Sequence, residues 1–242
     1  MFIFIRLLLG HFIADFPLQF NKVYELKHRG LKGGIPHALI VVVSLLLVSW
    51  PYLNLLKLWA FIFFIGITHL FQDSIKVGYK ELKYSFWFYL LDQLSHIVLI
   101  AAVFLTTLKD LPPPKYTPGF MTSVYNNNPL LIYLIAVIIA TYNGYYMIRA
   151  FKNTFLGSVE KYSPLGKWYG MLERLVMVSL FFLGGFFFLL VPVALLIRPL
   201  IFYLGKNRFN LDKQFISVFE LFLSGLVAIL TGTGLYLIAQ RL

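Results

Sequence analysis

Three pairs of metal-type ligands, His11 with Asp15, His69 with Asp73 and Asp92 with His96, each lie four residues apart inside apolar stretches of this chain, and His37 opens another. A spacing of four puts both members of a pair on one helix face. Imidazole and carboxylate without thiolate suit Zn, Mn or Fe, the mixture that hydrolytic metal centres use. Seven ligands exceed what one zinc ion takes, which points to a divalent centre of as many as two ions. Three carboxylates in a low-dielectric interior are costly unless compensated. Two ions with a bridging hydroxide would bring the charge near neutral, and a bound metal lowers the pKa of water to about 7. The set takes four of the five histidines and three of only ten acidic residues. There is no cysteine, so disulfides, thiolate ligands and Cys nucleophiles are excluded.

The elements that must position these groups are membrane-type helices. The 242 residues are 60% hydrophobic and 13% charged, with repeated apolar runs near the roughly 20 residues a spanning helix needs. The reading is an all-α, polytopic integral membrane bundle of about seven spans, at roughly 2–20, 37–56, 57–76, 86–108, 130–150, 172–197 and 215–239. The first run begins at Phe2, lacks a small-residue cleavage site and carries His11 and Asp15, so it is read as a mature helix. Residues 1–108 form the four-helix part with the ligands. Residues 109–129, with Pro112–Pro113–Pro114 and Asn126–Asn127–Asn128–Pro129, read as an exposed loop, and 130–242 as supporting helices within one transmembrane domain. No internal repeat emerges. The net charge of +11 fits basic loops against anionic lipid, not nucleic acid, because no soluble domain is present to carry a basic face.

Basic residues give the orientation. With the N-terminus outside and the C-terminus inside, the inner loops hold Lys22, Lys27, Arg29, Lys32, Lys76, Lys80, Lys83, Arg149, Lys152, Lys161, Lys167, Arg174 and Arg241, 13 of the 21 Lys and Arg. Half of the remainder, Arg198, Lys206, Arg208 and Lys213, follows the sixth span. Following each span by its rise of about 1.5 Å per residue, all seven ligands fall within roughly 10–15 Å of one membrane boundary. His37 follows the Gly33–Gly34–Ile35–Pro36 turn, with Pro36 suited to a first helical turn. Gln19 continues the His11–Asp15 face, and Pro17 loosens that turn. Gln19 and Asn143 are candidates to support the ligands, and Glu173 and Arg174 to orient substrate, with Arg174 suited to a phosphate or carboxylate headgroup. His28, between Lys27 and Arg29, reads as a solvated loop residue, and Gly184–Gly185 as a site of close helix packing, with a break of the sixth span into a re-entrant pair, or an amphipathic interfacial helix after it, as the alternatives.

His11-Phe12-Ile13-Ala14-Asp15-Phe16-Pro17-Leu18-Gln19, Lys22, His37-Ala38-Leu39, His69 through Asp73, and Leu91-Asp92-Gln93 with His96 resemble the bacterial integral membrane proteins grouped as domain of unknown function 3307. Gly170-Met171-Leu172-Glu173-Arg174 and the start of the last span around Glu220 are also similar. Arg198-Pro199 and Phe219–Glu220 depart from the pattern. The resemblance implies an integral protein of the bacterial cytoplasmic (inner) membrane with a shared site in residues 1–100, and no activity.

Together these readings lead to a membrane-embedded, metal-dependent hydrolase acting on a lipid or amphiphilic substrate near the cytoplasmic interface. His11, Asp15, His69, Asp73, Asp92 and His96 are its ligands, and His37 is a further ligand or proton shuttle. The alternative is a divalent-cation or proton-coupled transporter using the same residues. Polar residues are sparse in the outer halves of the first four spans, which favours a one-sided site. Haem ligation leaves the Asp partners unexplained, and a structural bundle locked by polar pairs is the remaining alternative.

Overall fold

The computed structural model describes residues 1–79, 85–115, 119–157, 164–209 and 218–239, with side chains at 164, 165, 202, 205–209, 218 and 239 excepted. Lys80, Lys83, Lys161, Lys213 and Arg241 lie outside the described residues. All regular elements among the described residues are helical, and the chain divides into two units, Met1–Ile135 and Ala136–Leu242. Among the described residues, five helical stretches are long and apolar enough to cross a membrane: Leu31–Val48, Leu56–Gly78, Phe86–Leu105, Asn128–Leu156 and Phe219–Ile238. Large apolar side chains such as Leu47, Phe63, Ile67, Phe71 and Leu91 are exposed on them, as a lipid-facing surface requires.

The first unit contains α1 (Phe2–Asp15), α2 (Asn21–Lys27), α3 (Leu31–Val48), α4 (Leu56–Gly78), α5 (Phe86–Ala101), α6 (Phe120–Asn126) and the beginning of α7 (Asn128–Ile138). At 14 residues, α1 is about 21 Å long, short of a hydrocarbon core of about 30 Å. It ends at Asp15, with the Phe16 N–H still bonded to the Phe12 carbonyl and Pro17 next, which has no N–H to continue the ladder. Gln19 therefore lies beyond the helix and does not continue the His11–Asp15 face, contrary to the expectation from spacing. By contrast α3 begins earlier than expected, at Leu31 after Gly30 (φ 85°), so Gly33, Gly34 and Pro36 are inside the helix. Gly33 fits there because a Cβ would collide with the Leu26 carbonyl.

α3 packs against α1, α2 and α4, and α5 closes on α1 and α4. Small residues set these distances. A Cβ on Gly10 would stand 2.7 Å from Val48 Cγ2, and one on Gly66 would overlap Val42. Leu7, Leu45, Ile62 and Ile100 are fully buried in the core beneath these crossings. The described residues of the 109–129 stretch are exposed or half-exposed, and the stretch is held to this unit. Tyr52 donates to the Pro112 carbonyl, and Tyr125 Oη donates to the Val48 carbonyl at 3.0 Å. Arg6, buried in α1, donates to Asn128 Oδ1 and to the carbonyls of Tyr125 and Phe2, so its charge secures the same stretch.

The second unit contains the end of α7, a π-helical turn at Ile139–Asn143, α8 (Gly144–Leu156), α9 (Pro164–Leu183), α10 (Val191–Phe209) and α11 (Val218–Ala239). α9 packs on α10, on α11 and on the π turn. The expected sixth span is broken. Gly184 (φ 68°) and Gly185 (φ 56°) adopt left-handed conformations that only glycine enters without strain, and a 3₁₀ segment, Gly185–Leu190, leads into α10. A Cβ on Gly184 would meet only Tyr236 at 3.9 Å and one on Gly185 nothing, so this pair serves a helix break, not close packing.

Candidate metal centre

Each pair spaced by four is held on one helix: His11 and Asp15 on α1, His69 and Asp73 on α4, Asp92 and His96 on α5. α3 adds His37 from its second turn. Because α1, α3, α4 and α5 pack together, all seven groups are assembled in the first unit, and all but Asp92 are buried residues. Asp92 has a largely buried side chain.

Four atoms form the heart of the cluster. Asp15 Oδ1 lies 2.9 Å from His37 Nε2 and 3.3 Å from His69 Nε2, and the two nitrogens are 3.1 Å apart. Asp73 Oδ2 lies 3.4 Å from His69 Nε2 and 3.7 Å from His37 Nε2. Bonds of about 2.0–2.2 Å to a tetrahedral ion put its ligand atoms about 3.3–3.6 Å apart. The observed edges bracket that spacing. His11 Nε2 stands 3.5 Å from the other Asp15 oxygen, and the His96 ring lies 4.4 Å from that of His69 and 5.2 Å from that of His11, between centroids. Ligand atoms of Asp73, Asp92 and His96 form a further group within 4.8 Å of one another.

Protons satisfy this arrangement only in part: with Nε2–H on one of His37 and His69, that ring can donate to the other or to Asp15, while the Nδ1 atoms stay without partners among the described residues. Ionised carboxylates only accept, and a neutral imidazole carries one N–H. With Nε2–H on both His37 and His69, two donors confront each other at 3.1 Å. With Nδ1–H on both, two lone pairs face each other and the Asp15 carboxylate, and the Nδ1 atoms of His11, His37 and His69 are buried without hydrogen-bond partners among the described residues. A cation accepts all four convergent lone pairs at once and leaves only the Nδ1–H of each ring. The donor set, two imidazoles and two carboxylates, therefore fits a divalent ion such as Zn, Mn or Fe.

Two lysines join the site that the spacing of metal-type ligands did not identify. Lys27 Nζ, from the last turn of α2, lies 2.5 Å from Asp73 Oδ1, and Lys76 of α4 pairs with Asp92 Oδ2. Gln93 Nε2 also donates to Asp92 Oδ2, at 3.2 Å. By sequence both lysines read as loop charges marking the inner side. A signal existed for Lys76, three residues after Asp73 on one helix face, but none in sequence tied Lys27 to Asp73. Three carboxylates set against two ammonium groups leave one net negative charge. His28 stays apart, its Nδ1 2.8 Å from the Tyr24 carbonyl at the surface, as its basic neighbours suggested.

Glu173 and Arg174 belong to the second unit and form a network there. Glu173 accepts from Ser224 Oγ at 2.7 Å and from Arg198 Nε at 2.8 Å. Arg174 donates through Nε to the Ala140 carbonyl at 2.6 Å, through Nη1 to Ser224 Oγ at 3.0 Å and through Nη2 to the Thr141 carbonyl at 3.3 Å. These carbonyls lie in the π turn, where the backbone ladder is interrupted. Asn143 closes the same turn. Arg198, counted by sequence among loop charges after the sixth span, is instead buried within α10, and Lys152 is buried 3.6 Å from Glu220.

No curated protein and no solved structure matches the chain. Residues 3–114, which carry all seven candidate ligands and both lysines, match the sequence model of the family described as "Protein of unknown function (DUF3307)", the family that the His11–Gln19 motif resembles.

Proposed function

We propose that the His/Asp cluster binds a divalent metal ion and that the protein is a membrane-embedded hydrolase acting on a lipid or other amphiphilic substrate. Its setting is the cytoplasmic interface of the bacterial inner membrane, with the N-terminus outside and the C-terminus inside. The observation that carries this reading is the convergence of Asp15 Oδ1, His37 Nε2, His69 Nε2 and Asp73 Oδ2 at edges of 2.9–3.7 Å. Lys27 fixes the second Asp73 oxygen, and His11 stands against the second oxygen of Asp15, so each carboxylate is oriented from behind. Four protein donors would close a tetrahedral zinc ion, whereas Mn²⁺ or Fe²⁺, which take more ligands, keep positions for water and substrate. Such an ion supplies Lewis acidity and an acidified water. One divalent ion and one hydroxide neutralise the single negative charge left by the three carboxylates and two lysines.

One-sided access supports hydrolysis over transport. Leu7, Leu45, Ile62 and Ile100 follow the ligands along their helices on the far side and are buried apolar core. Thr68, the polar neighbour of His69, uses its hydroxyl on the carbonyls of Phe64 and Ile65 within its own helix. The four-donor closure is the one observation that favours transport, so the test must separate the two. Protein reconstituted in proteoliposomes with Mn²⁺ is expected to release product from a panel of lipid phosphates and esters, with turnover lost in Asp15→Ala. Mn²⁺ uptake that depends on His11 and Asp92, with no turnover across the panel, would instead establish transport. Folded wild type that takes up no divalent metal would remove both.

A further inference from the structure

His96 is the least satisfied group in the first unit. It is 2% exposed, and neither ring nitrogen has a hydrogen-bond partner among the described residues. A buried imidazole in that state costs the desolvation of both nitrogens with no return. Its neighbours are acidic: ligand atoms of His96, Asp92 and Asp73 all lie within 4.8 Å of one another. Atoms gathered within that limit are close enough to share one divalent ion. Lys76 has placed its ammonium on one of these ligands, Asp92 Oδ2, reaching it from the helix turn that follows Asp73. Asp73 contributes to both this group and the His37–His69 group, as a carboxylate shared between two cation positions does.

We propose that Asp73, Asp92 and His96 form a second cation position, and that Lys76 blocks it by holding Asp92 with a tethered ammonium, which makes the centre mononuclear. This rests on the metal reading given above and assigns its stoichiometry. Charge agrees. Three carboxylates against Lys27, Lys76 and one divalent ion leave one positive charge, which a hydroxide cancels. A second divalent ion beside Lys76 would add two charges with no anion opposite. Withdrawing the lysine removes the tethered cation and exposes the Asp92 carboxylate to an ion that His96 is placed to share.

The test is metal stoichiometry in Mn²⁺-loaded protein, by elemental analysis and by the magnetic coupling that an adjacent Mn²⁺ pair shows in electron paramagnetic resonance. Wild type is expected to hold one uncoupled ion. Lys76→Met is expected to hold two coupled ions, Lys76→Gln the same, and Lys76→Met combined with His96→Ala one again. In the wild-type background, His96→Ala should keep its one ion, with an affinity change below the about 10-fold that altering a supporting group of a metal site causes. A second ion in wild type would overturn the proposal, as would a single ion in both folded Lys76 variants. Should neither Lys76 variant fold, His96→Ala decides: loss of the one ion would put the metal at His96 and overturn the assignment. Wild type with no ion would instead sink the reading on which the proposal rests.

Discussion

In the second unit, Glu173 accepts from Ser224 and Arg198 while Arg174 donates to Ser224 and to two carbonyls of a π turn, so donors meet acceptors. In the first unit, Asp15, His37, His69 and Asp73 bring two imidazole nitrogens and two carboxylate oxygens together, and Lys27 and Lys76 reach, respectively, the outer oxygen of Asp73 and Asp92. Both clusters are buried among apolar helices, and by composition both are simply polar residues in membrane-type segments. The difference lies in the balance of donors and acceptors. A cluster that completes its own hydrogen bonds fixes helices; one that gathers imidazole nitrogens and carboxylate oxygens at ligand spacing is the kind that suits a cation.

The strongest way to break this comparison is to exchange the expected outcomes of the two clusters. Asp15→Ala should weaken Mn²⁺ binding by more than about 100-fold, beyond the range for supporting groups, because a ligand and its charge are lost together. Glu173→Ala should leave binding unchanged. Equal affinities in Asp15→Ala and wild type, measured by equilibrium dialysis, would end the distinction. Next in size, Glu173→Ala should destabilise the protein by about 3–5 kcal/mol, the cost of breaking a buried ion pair. Denaturation in detergent reads this directly, and a shift under about 1 kcal/mol would mean that the Arg198 pair does not hold the unit together.

A smaller effect sharpens the role of the π turn. Arg174→Lys keeps the charge but loses the planar fork that spans Ala140, Thr141 and Ser224, and should cost about 1–3 kcal/mol with metal content unaltered. Full stability in Arg174→Lys would show that charge alone suffices there. The smallest effect is expected at His28, which bonds its own helix backbone at the surface. His28→Ala should change stability by less than about 0.5 kcal/mol, with the metal-induced shift in melting temperature intact. His69→Ala should abolish that shift, and identical shifts in the two variants would remove His69 from the ligands.

Much of the site is legible from spacing. Residues four apart on a helix share a face whatever the fold, so His11–Asp15, His69–Asp73 and Asp92–His96 pair by helical period alone, and shared depth brings His37 to them. The helix ends are less legible. Spacing carries Gln19 onto the ligand face, but the Phe16–Pro17 step ends α1 at Asp15, and Gly30 starts α3 six residues before His37. The sixth span is long enough by hydropathy to read as continuous, although Gly184–Gly185 leaves a break open. Its break at Gly184 is a backbone property that hydropathy does not register.

By itself, the sequence determined that this is a helical, membrane-type chain and that its rare ionisable residues come in pairs fit for metal, because both follow from composition and the period of the helix. Only the tertiary structure decided which charges were loops and which were partners. Lys27, Lys76, Lys152 and Arg198 carry identical charge whether solvated or buried, and nothing local in the chain separates the two cases. Their acidic partners lie 16 or more residues away, and such pairs form only when helix packing fixes which faces meet. Packing also decided that one polar cluster closes on itself and the other gathers imidazole nitrogens and carboxylate oxygens, since that difference depends on angstrom-scale placement of atoms that sequence spacing does not set.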